Sequence, residues 1–293
     1  VRFIVPYPPG GTVDPLARLM GIKLGESLGQ QFVVDNRPGA GGAIGTAVGA
    51  KSAPDGYTFV FVFDAHAVNS TLLPNAGYDA RKDFASVMVV GTAPYAIATL
   101  ASKPFASFGD VVKEAKANPG GVSVGSIGNG TLAHLILVLT QHAGGIKINH
   151  IPFKGGGPMV QAILGGQVDL GIGSAALLSP HARAGKMRVV ATTGAKRASA
   201  LPDVPTLGEQ GIAGVVVNAW WGIVAPAGTP RPIIDRFHGE LRKALGSPDV
   251  RKTLGETIGM ELLVSTPEEM DRFVAGEAER WAKVIKDNGI RPD

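Results

Sequence analysis

The residues best suited to chemistry in this sequence are small hydroxyls and glycines lying between an apolar run and a helix signal. The first such stretch is Arg2-Phe3-Ile4-Val5-Pro6-Tyr7-Pro8-Pro9-Gly10-Gly11-Thr12-Val13-Asp14. Phe3, Ile4 and Val5 read as a short buried strand. Pro6, Pro8 and Pro9 stop it, because each lacks an N–H for a ladder and restricts the residue before it. Gly10-Gly11 frees the backbone to approach something small. Thr12 or Asp14 can cap a helix whose first turn tolerates Pro15. The first N–H groups of such a helix have no partner inside it, so they form a ready anion site. Gly125-Ser126-Ile127-Gly128-Asn129-Gly130-Thr131 repeats this logic in the middle of the chain, before a helix with Leu132, Leu135, Ile136 and Leu139 on one face. Two loops of this kind facing each other across a cleft would grip an anion from both sides.

Other polar groups fall where open α/β sheets place ligands, past the carboxyl ends of strands. Asp64, His66 and Asn69 follow Tyr57–Phe63, the strongest strand signal in the chain. His66 and Asn69 read equally well as ligand contacts and as caps of the next helix. Phe153-Lys154-Gly155 follows the strand Ile148–Pro152. Asp169, in the strand Val168–Gly173 that ends at Ser174, reads as a ligand contact or as a strand-end hydrogen-bonding group.

Three catalytic or cofactor patterns fail on context. Gly25-Glu26-Ser27-Leu28-Gly29 matches G-x-S-x-G, but that motif needs a strand before its serine and here the serine closes a helix. Gly39, Gly41 and Gly45 have the wrong spacing for a dinucleotide fingerprint and read as a turn docking the next helix. His134, His142 and His150 are too far apart for a helical metal pair. No metal and no cofactor are expected. The chain has no cysteine, which removes disulfides, thiol catalysis and thiolate metal sites.

The elements that must position these groups alternate. Helix signals at 13–28, 110–117, 132–139 and from Pro230 and Pro267 onward separate short strands, which argues for an α/β fold with parallel sheets. Val215–Val224 reads as a strand interrupted by Trp220-Trp221-Gly222. The 293 residues, 45% hydrophobic and 18% charged, suffice for one large domain or two ordinary ones. The net charge of +4 is spread along the chain, and no basic run points to nucleic acid or a membrane surface. No apolar stretch reaches the length of a membrane span. The chain opens at Val1 inside its first strand, and we expect a mature or trimmed form.

Taken together, the motifs resemble the Bug family, the periplasmic solute receptors of tripartite tricarboxylate transporters. The resemblance rests on Val5-Pro6-Tyr7-Pro8-Pro9-Gly10-Gly11 with Asp14 and Ala17-Arg18, Asn36-Arg37-Pro38-Gly39-Ala40-Gly41-Gly42, and Pro54-Asp55-Gly56-Tyr57-Thr58. It continues through Gly125–Thr131 with His134-Leu135, Pro152-Phe153-Lys154-Gly155, Leu201–Thr206, and Trp220-Trp221-Gly222 to Pro230. These run in order along nearly the whole chain. The resemblance implies a two-lobed, type II Venus-flytrap clamshell, each lobe a mainly parallel sheet flanked by helices. Lobe 1 would comprise residues 1–100 and 220–293, and lobe 2 residues 101–219, with hinges near Leu100 and Asn218.

The resemblance further implies that the two glycine loops hold a ligand carboxylate through backbone N–H groups, hydroxyls and water. Carried over, those positions are Gly10, Gly11, Thr12 and Asp14 on one side and Ser126, Gly128, Gly130 and Thr131 on the other. Tyr7, Asp64, His66, Phe153, Lys154, Gly155, Asp169, Ser174 and Trp220 complete the expected site. Phe153 stands where the family often has tyrosine. The implied partners are a small organic acid (a di- or tricarboxylate, an acidic amino acid or an aromatic acid) and a membrane permease. The implied chain is a monomer in the periplasm, and not an enzyme. Two alternatives remain open: a ligand sensor for a signalling partner, and a hydrolase using Ser27 or Ser126 with a histidine.

Overall fold

In the structure, a computed structural model, residues 1–73 and 76–290 are described. The last three residues of the expected 220–293 segment lie outside that range. Among the described residues ten strands and ten α-helices largely alternate, and the strand order separates into two sheets that share one long strand. The first sheet contains β1 (Arg2–Val5), β2 (Val33–Asn36), β3 (Thr58–Phe63), β9 (Asn218–Pro226), the early part of β4 (Phe84–Leu100) and β10 (Glu261–Leu262). The second contains the late part of β4 with β5 (Ser123–Ser126), β6 (Asn149–Pro152), β7 (Leu170–Ser174) and β8 (Met187–Thr192).

Each lobe has a parallel core, β2-β1-β3 in one and β7-β5-β6 in the other. The pairings of β4 and β9 are antiparallel, so the sheets are mixed. The cause is topological. β4 carries the chain out of the first lobe and β9 brings it back, so the two strands run in opposite directions side by side. They part at Pro94, the last β4 residue paired with β9, which faces Asn218. The next residue, Tyr95, already pairs with Ser174 of the second sheet. The outgoing crossing therefore lies ahead of Leu100, because β4 runs on to serve as a central strand of the second sheet. The return crossing falls at Asn218.

The near-continuous apolar run of β3 is explained by cover on both faces. Phe59, Phe61 and Phe63 point into the main core with α1 (Val13–Leu28) and α8 (Arg231–Gly246), where Phe59 stacks on Phe237 at 3.6 Å between ring centres. Val60 and Val62 point the other way, toward Met270 and Val274 of α10 (Pro267–Asp287). Burying each such side chain stabilises the fold by roughly 1.5–3 kcal/mol. β9 follows the same rule without the interruption expected at its tryptophans. Trp221 and Ile223 join the main core while Trp220 and Val224 face α10. Gly222 keeps the strand continuous, since a Cβ there would stand 2.8 Å from Met270 and 2.9 Å from Trp220.

Candidate functional site between the lobes

Five helices begin at the junction of the lobes: α1, α2 (Ala43–Ala50), α5 (Leu132–Gly144), α6 (Gly156–Leu164) and α7 (Ala175–Arg183). The residues before four of them are Thr12, Gly42, Thr131 and Gly155, and none gives a side-chain hydrogen bond to its helix. The two hydroxyls are committed elsewhere. Thr12 Oγ1 accepts from Trp221 Nε1 at 2.9 Å, and Thr131 Oγ1 donates to Gly128 O at 2.7 Å. Glycine at the other two positions has no side chain to offer. α7 differs: Ser174 Oγ accepts from Leu177 N. First-turn N–H groups therefore remain free of side-chain caps on both sides of the junction, which favours a bound anion.

The lobes meet along two glycine-rich seams. In one, Pro8 to Gly11 abuts Gly155 to Gly157; a Cβ on Gly155 would stand 2.8 Å from Pro8, and one on Gly157 2.9 Å from Pro9 O. Gly155 has φ +108, which itself favours glycine. In the other, the turn at Gly41 faces Thr131 and Asn129, with Cβ-to-atom distances of 3.5 and 3.7 Å. The two glycine loops thus do not simply face each other. Each meets a partner outside the expected ligand contacts: Gly156–Gly157 for the first loop, and for the second the Gly39–Gly42 turn, read in sequence as docking the next helix.

An outer space of about 240 Å³ is lined by Pro6, Tyr7 and Pro8, the Gly39–Gly42 turn, Ile127, Gly128, Asn129 and Pro152 to Gly155. An inner space of about 30 Å³ is lined by Tyr7, Gly11, Thr12, Val13, Phe63, Ile127, Gly155, Gly156, Ser174 and Leu177. That is room for one or two waters. Tyr7, Ile127 and Gly155 line both spaces and form the waist between them. Among the described residues lining them, Lys154 is the charged one, and it is exposed at the outer rim. The other positive ends at these spaces are those of the helix starts. Burial raises the Tyr7 phenol well above its ordinary pKa, helped by nearby Asp64, so Tyr7 stays a neutral donor.

Of the residues expected at the site, Tyr7, Gly11, Thr12, Gly128, Phe153, Lys154, Gly155 and Ser174 line these spaces. Gly10 sits in the first seam against Gly157. Asp14 is turned to an ion pair with Arg18 at 3.0 Å and a bond from Asn36, which fixes the first loop from behind. Gly130 packs toward Leu73, and Thr131 lies in the second seam.

Four expected contacts belong elsewhere. His66 is inside α3 (Ala65–Leu72), stacked on Tyr78 and edge-on to Phe84, and burial lowers its pKa to about 4. It packs as a neutral aromatic, and neither it nor Asn69 caps the helix. Asp64 is fully buried and accepts from Tyr95 Oη at 2.7 Å. Asp169 precedes β7, at the opposite end of that strand from Ser174, where it pairs with Lys103 and takes bonds from Ser123. Trp220 faces α10 because strand alternation gives the cleft side to Trp221.

The two serines of the hydrolase reading can be placed. Ser27 lies in the last turn of α1 and donates back to Leu24 O. Ser126 Oγ is 2.7 Å from His150 Nε2, and His150 stacks on His134. Yet Ser126 is fully buried, and its oxygen also accepts from Gly128 N at 3.2 Å. It orders the loop rather than meeting a substrate.

Sequence pattern missed Val13, Phe63, Ile127 and Leu177, which give both spaces apolar walls. Phe63 reads in sequence as the end of a central strand and Val13 as the start of a helix, while Ile127 lies inside the second glycine loop, and it is the meeting of the two lobes that brings them to these spaces with Leu177. The Gly39–Gly42 turn carried a signal, three glycines before a helix, that was attributed to packing alone.

The family of tripartite tricarboxylate transporter receptors matches residues 16–290. The chain belongs to that family. Protein BugT of Bordetella pertussis is 36% identical over 293 residues, covering 99% of this chain and 90% of BugT. The solved structure of R. palustris Rpa4515 with adipate superposes with a TM-score of 0.94 at 36% identity, covering 100% of this chain and 98% of that one. The structure of the periplasmic binding protein BugD superposes with a TM-score of 0.94 at 31% identity, with the same coverage. The chain is thus a two-lobed binding protein of the Bug and TctC kind. Among the described residues no helix is long and apolar enough to cross a membrane.

Proposed function

We propose that this chain is a periplasmic solute receptor that closes on a small carboxylate and presents the loaded form to a membrane permease of the tripartite tricarboxylate type. The residues up to Pro94 together with those from Asn218 onward act as one lobe and the residues between them as the other, a shift of a few residues from the expected 1–100, 101–219 and 220–293, and the receptor works as a monomer without nucleic acid or enzymatic turnover. The observation that carries this reading is the set of helix starts without side-chain caps, α1 and α2 from one lobe and α6 from the other, whose first residues or the residues before them line spaces with one peripheral cation among the described lining residues. A ligand touching both lobes is bound differently by open and closed forms, which is the condition for driving closure. The structure of Rpa4515 with adipate supports a linear dicarboxylate as the ligand. The site would then comprise Tyr7, Gly11, Thr12, Gly128, Phe153, Lys154, Gly155 and Ser174, with the Gly39–Gly42 turn.

Thermal unfolding against a panel of mono-, di- and tricarboxylates, acidic amino acids and aromatic acids tests this. A ligand at about 100 times its dissociation constant adds roughly 2.7 kcal/mol of stability. We expect a shift with one or more dicarboxylates. No shift with any acid, after unfolding and refolding to strip carried-over ligand, would overturn the carboxylate assignment.

A further inference from the structure

Tyr95 is tied to both lobes. It is the residue at which β4 leaves the first sheet and joins the second. Its backbone belongs to lobe 2: Thr193 donates to Tyr95 O at 3.0 Å, and Thr193 Oγ1 accepts from Tyr95 N at 3.0 Å. Its side chain belongs to lobe 1: the phenol donates to Asp64 Oδ2, at the end of β3, at 2.7 Å. Both side chains are fully buried. A rotation of one lobe about the crossing strands must strain or break this bond.

Asp64 is unusual in a second respect. Its Oδ1 is buried without a hydrogen-bond partner. The groups acting on it are Tyr95 from β4, Tyr7 from the first glycine loop, Glu277 from α10 and the Ala65 N–H of its own helix. None is a cation; Arg280 beside Glu277 is bonded to Glu277 instead. An ionised carboxylate buried without a positive partner is costly, so such a group takes up a proton. Burial accordingly raises Asp64 well above the usual carboxylate range, with Glu277 pushing the same way and the Tyr95 bond only partly offsetting it.

We propose that the Tyr95–Asp64 hydrogen bond is a positioning tie that sets the closed arrangement of the lobes, and that closing is coupled to uptake of a proton by Asp64. The closed form seals Asp64 under Tyr95, where the neutral acid is favoured. Opening frees the phenol and admits water, which favours the carboxylate. Acid conditions therefore favour the closed, ligand-holding form. This rests on the two-lobed receptor reading, but its test does not need the ligand.

The chain has no cysteine, so paired labels on Lys51→Cys and Lys116→Cys, at exposed positions of opposite lobes, report lobe separation cleanly. Label distances in ligand-free protein are measured from pH 5 to pH 8. We expect the short-distance population to grow as the pH falls. Asp64→Asn, a neutral acceptor for the Tyr95 phenol, should remain closed and indifferent to pH. Tyr95→Phe should shift the population toward open at every pH. If the acid from the stability panel is then added, wild-type affinity should rise by up to about tenfold per pH unit of acidification, the limit for one coupled proton. Asp64→Asn should vary by less than about twofold over that range. Label distances that ignore pH in the wild type, or that respond equally in Asp64→Asn, would overturn the tie. Failure of the whole acid panel to bind would count against the carboxylate reading and leave the label result to stand by itself.

Discussion

The helix starts at the cleft and those at the periphery are built differently. α4 (Phe108–Ala117) and α10 begin with complete capping boxes, Ser107 with Asp110 and Thr266 with Glu269. At the cleft, α1, α2, α5 and α6 begin with glycine or with a threonine whose hydroxyl is engaged elsewhere. The peripheral helices use their first N–H groups for stability. The cleft helices put no side-chain cap on theirs, and the loops before α1 and α5 are held from behind instead, by Asp14 with Arg18 and Asn36 and by Ser126 with Gly128. α3 and α8 also start without side-chain caps, so the contrast concerns function rather than a rule for every helix. On the proposed reading, forgoing local capping at the site is what would let this receptor recognise an anion with few cations.

The contrast can be broken most severely at the first seam. Gly157→Ala places a methyl 2.9 Å from Pro9 O without entering either ligand space. Overpacking of this kind costs about 1–3 kcal/mol, so ligand affinity should fall by about 5- to 150-fold while unliganded stability hardly changes. Calorimetric titration paired with ligand-free melting checks both halves. Thr131→Ala should weaken binding by about fivefold, because Thr131 Oγ1 braces Gly128 O and one such bond contributes about 1 kcal/mol. Its peripheral counterpart, Ser107→Ala, should do the reverse. It loses about 1 kcal/mol of stability in denaturant titration and leaves affinity unchanged. If Ser107→Ala weakened binding as much as Thr131→Ala, the division of labour would be wrong.

Lys154→Ala should cost only two- to threefold in affinity and flatten the salt dependence of association, as for a rim charge. The smallest effect is expected at Asp169, far from the cleft. Burial pushes its carboxyl up, but the bonds to Lys103 and Ser123 outweigh that and hold it below its ordinary range. A carboxylate depressed in the folded state stabilises above its unfolded pKa and loses that contribution as the pH falls through its folded one. Asp169→Asn should therefore remove up to about 1 kcal/mol near neutrality, with the difference vanishing below the usual carboxylate range and with no change in affinity.

Much of this was legible in sequence because local rules set it. The strand-turn-helix at Val5–Val13 and the loop at Gly125–Thr131 are specified by prolines, glycines and apolar periodicity, and the family motifs fix the two-lobed arrangement. What escaped was set by tertiary geometry. Strand alternation makes Trp221, not Trp220, meet Thr12, and reading adjacent tryptophans as an interruption hid that choice. His66 lies past the carboxyl end of a strand, yet α3 starts at once and turns the ring between Tyr78 and Phe84. Asp169 sits at the wrong end of its strand. The pairing of Gly10 with Gly157, and of Gly41 with Thr131, depends on how the lobes close.

The most direct test of anion recognition by uncapped helix starts is an amide nitrogen–proton NMR titration with the acid selected by the stability panel. The account predicts that the amides of Val13 and Gly156, at the starts of α1 and α6 and lining the inner space, shift strongly and saturate together. Those of Phe108 and Glu268, in the capped first turns of α4 and α10, should stay in place. Saturable binding that left the cleft amides unmoved would contradict it.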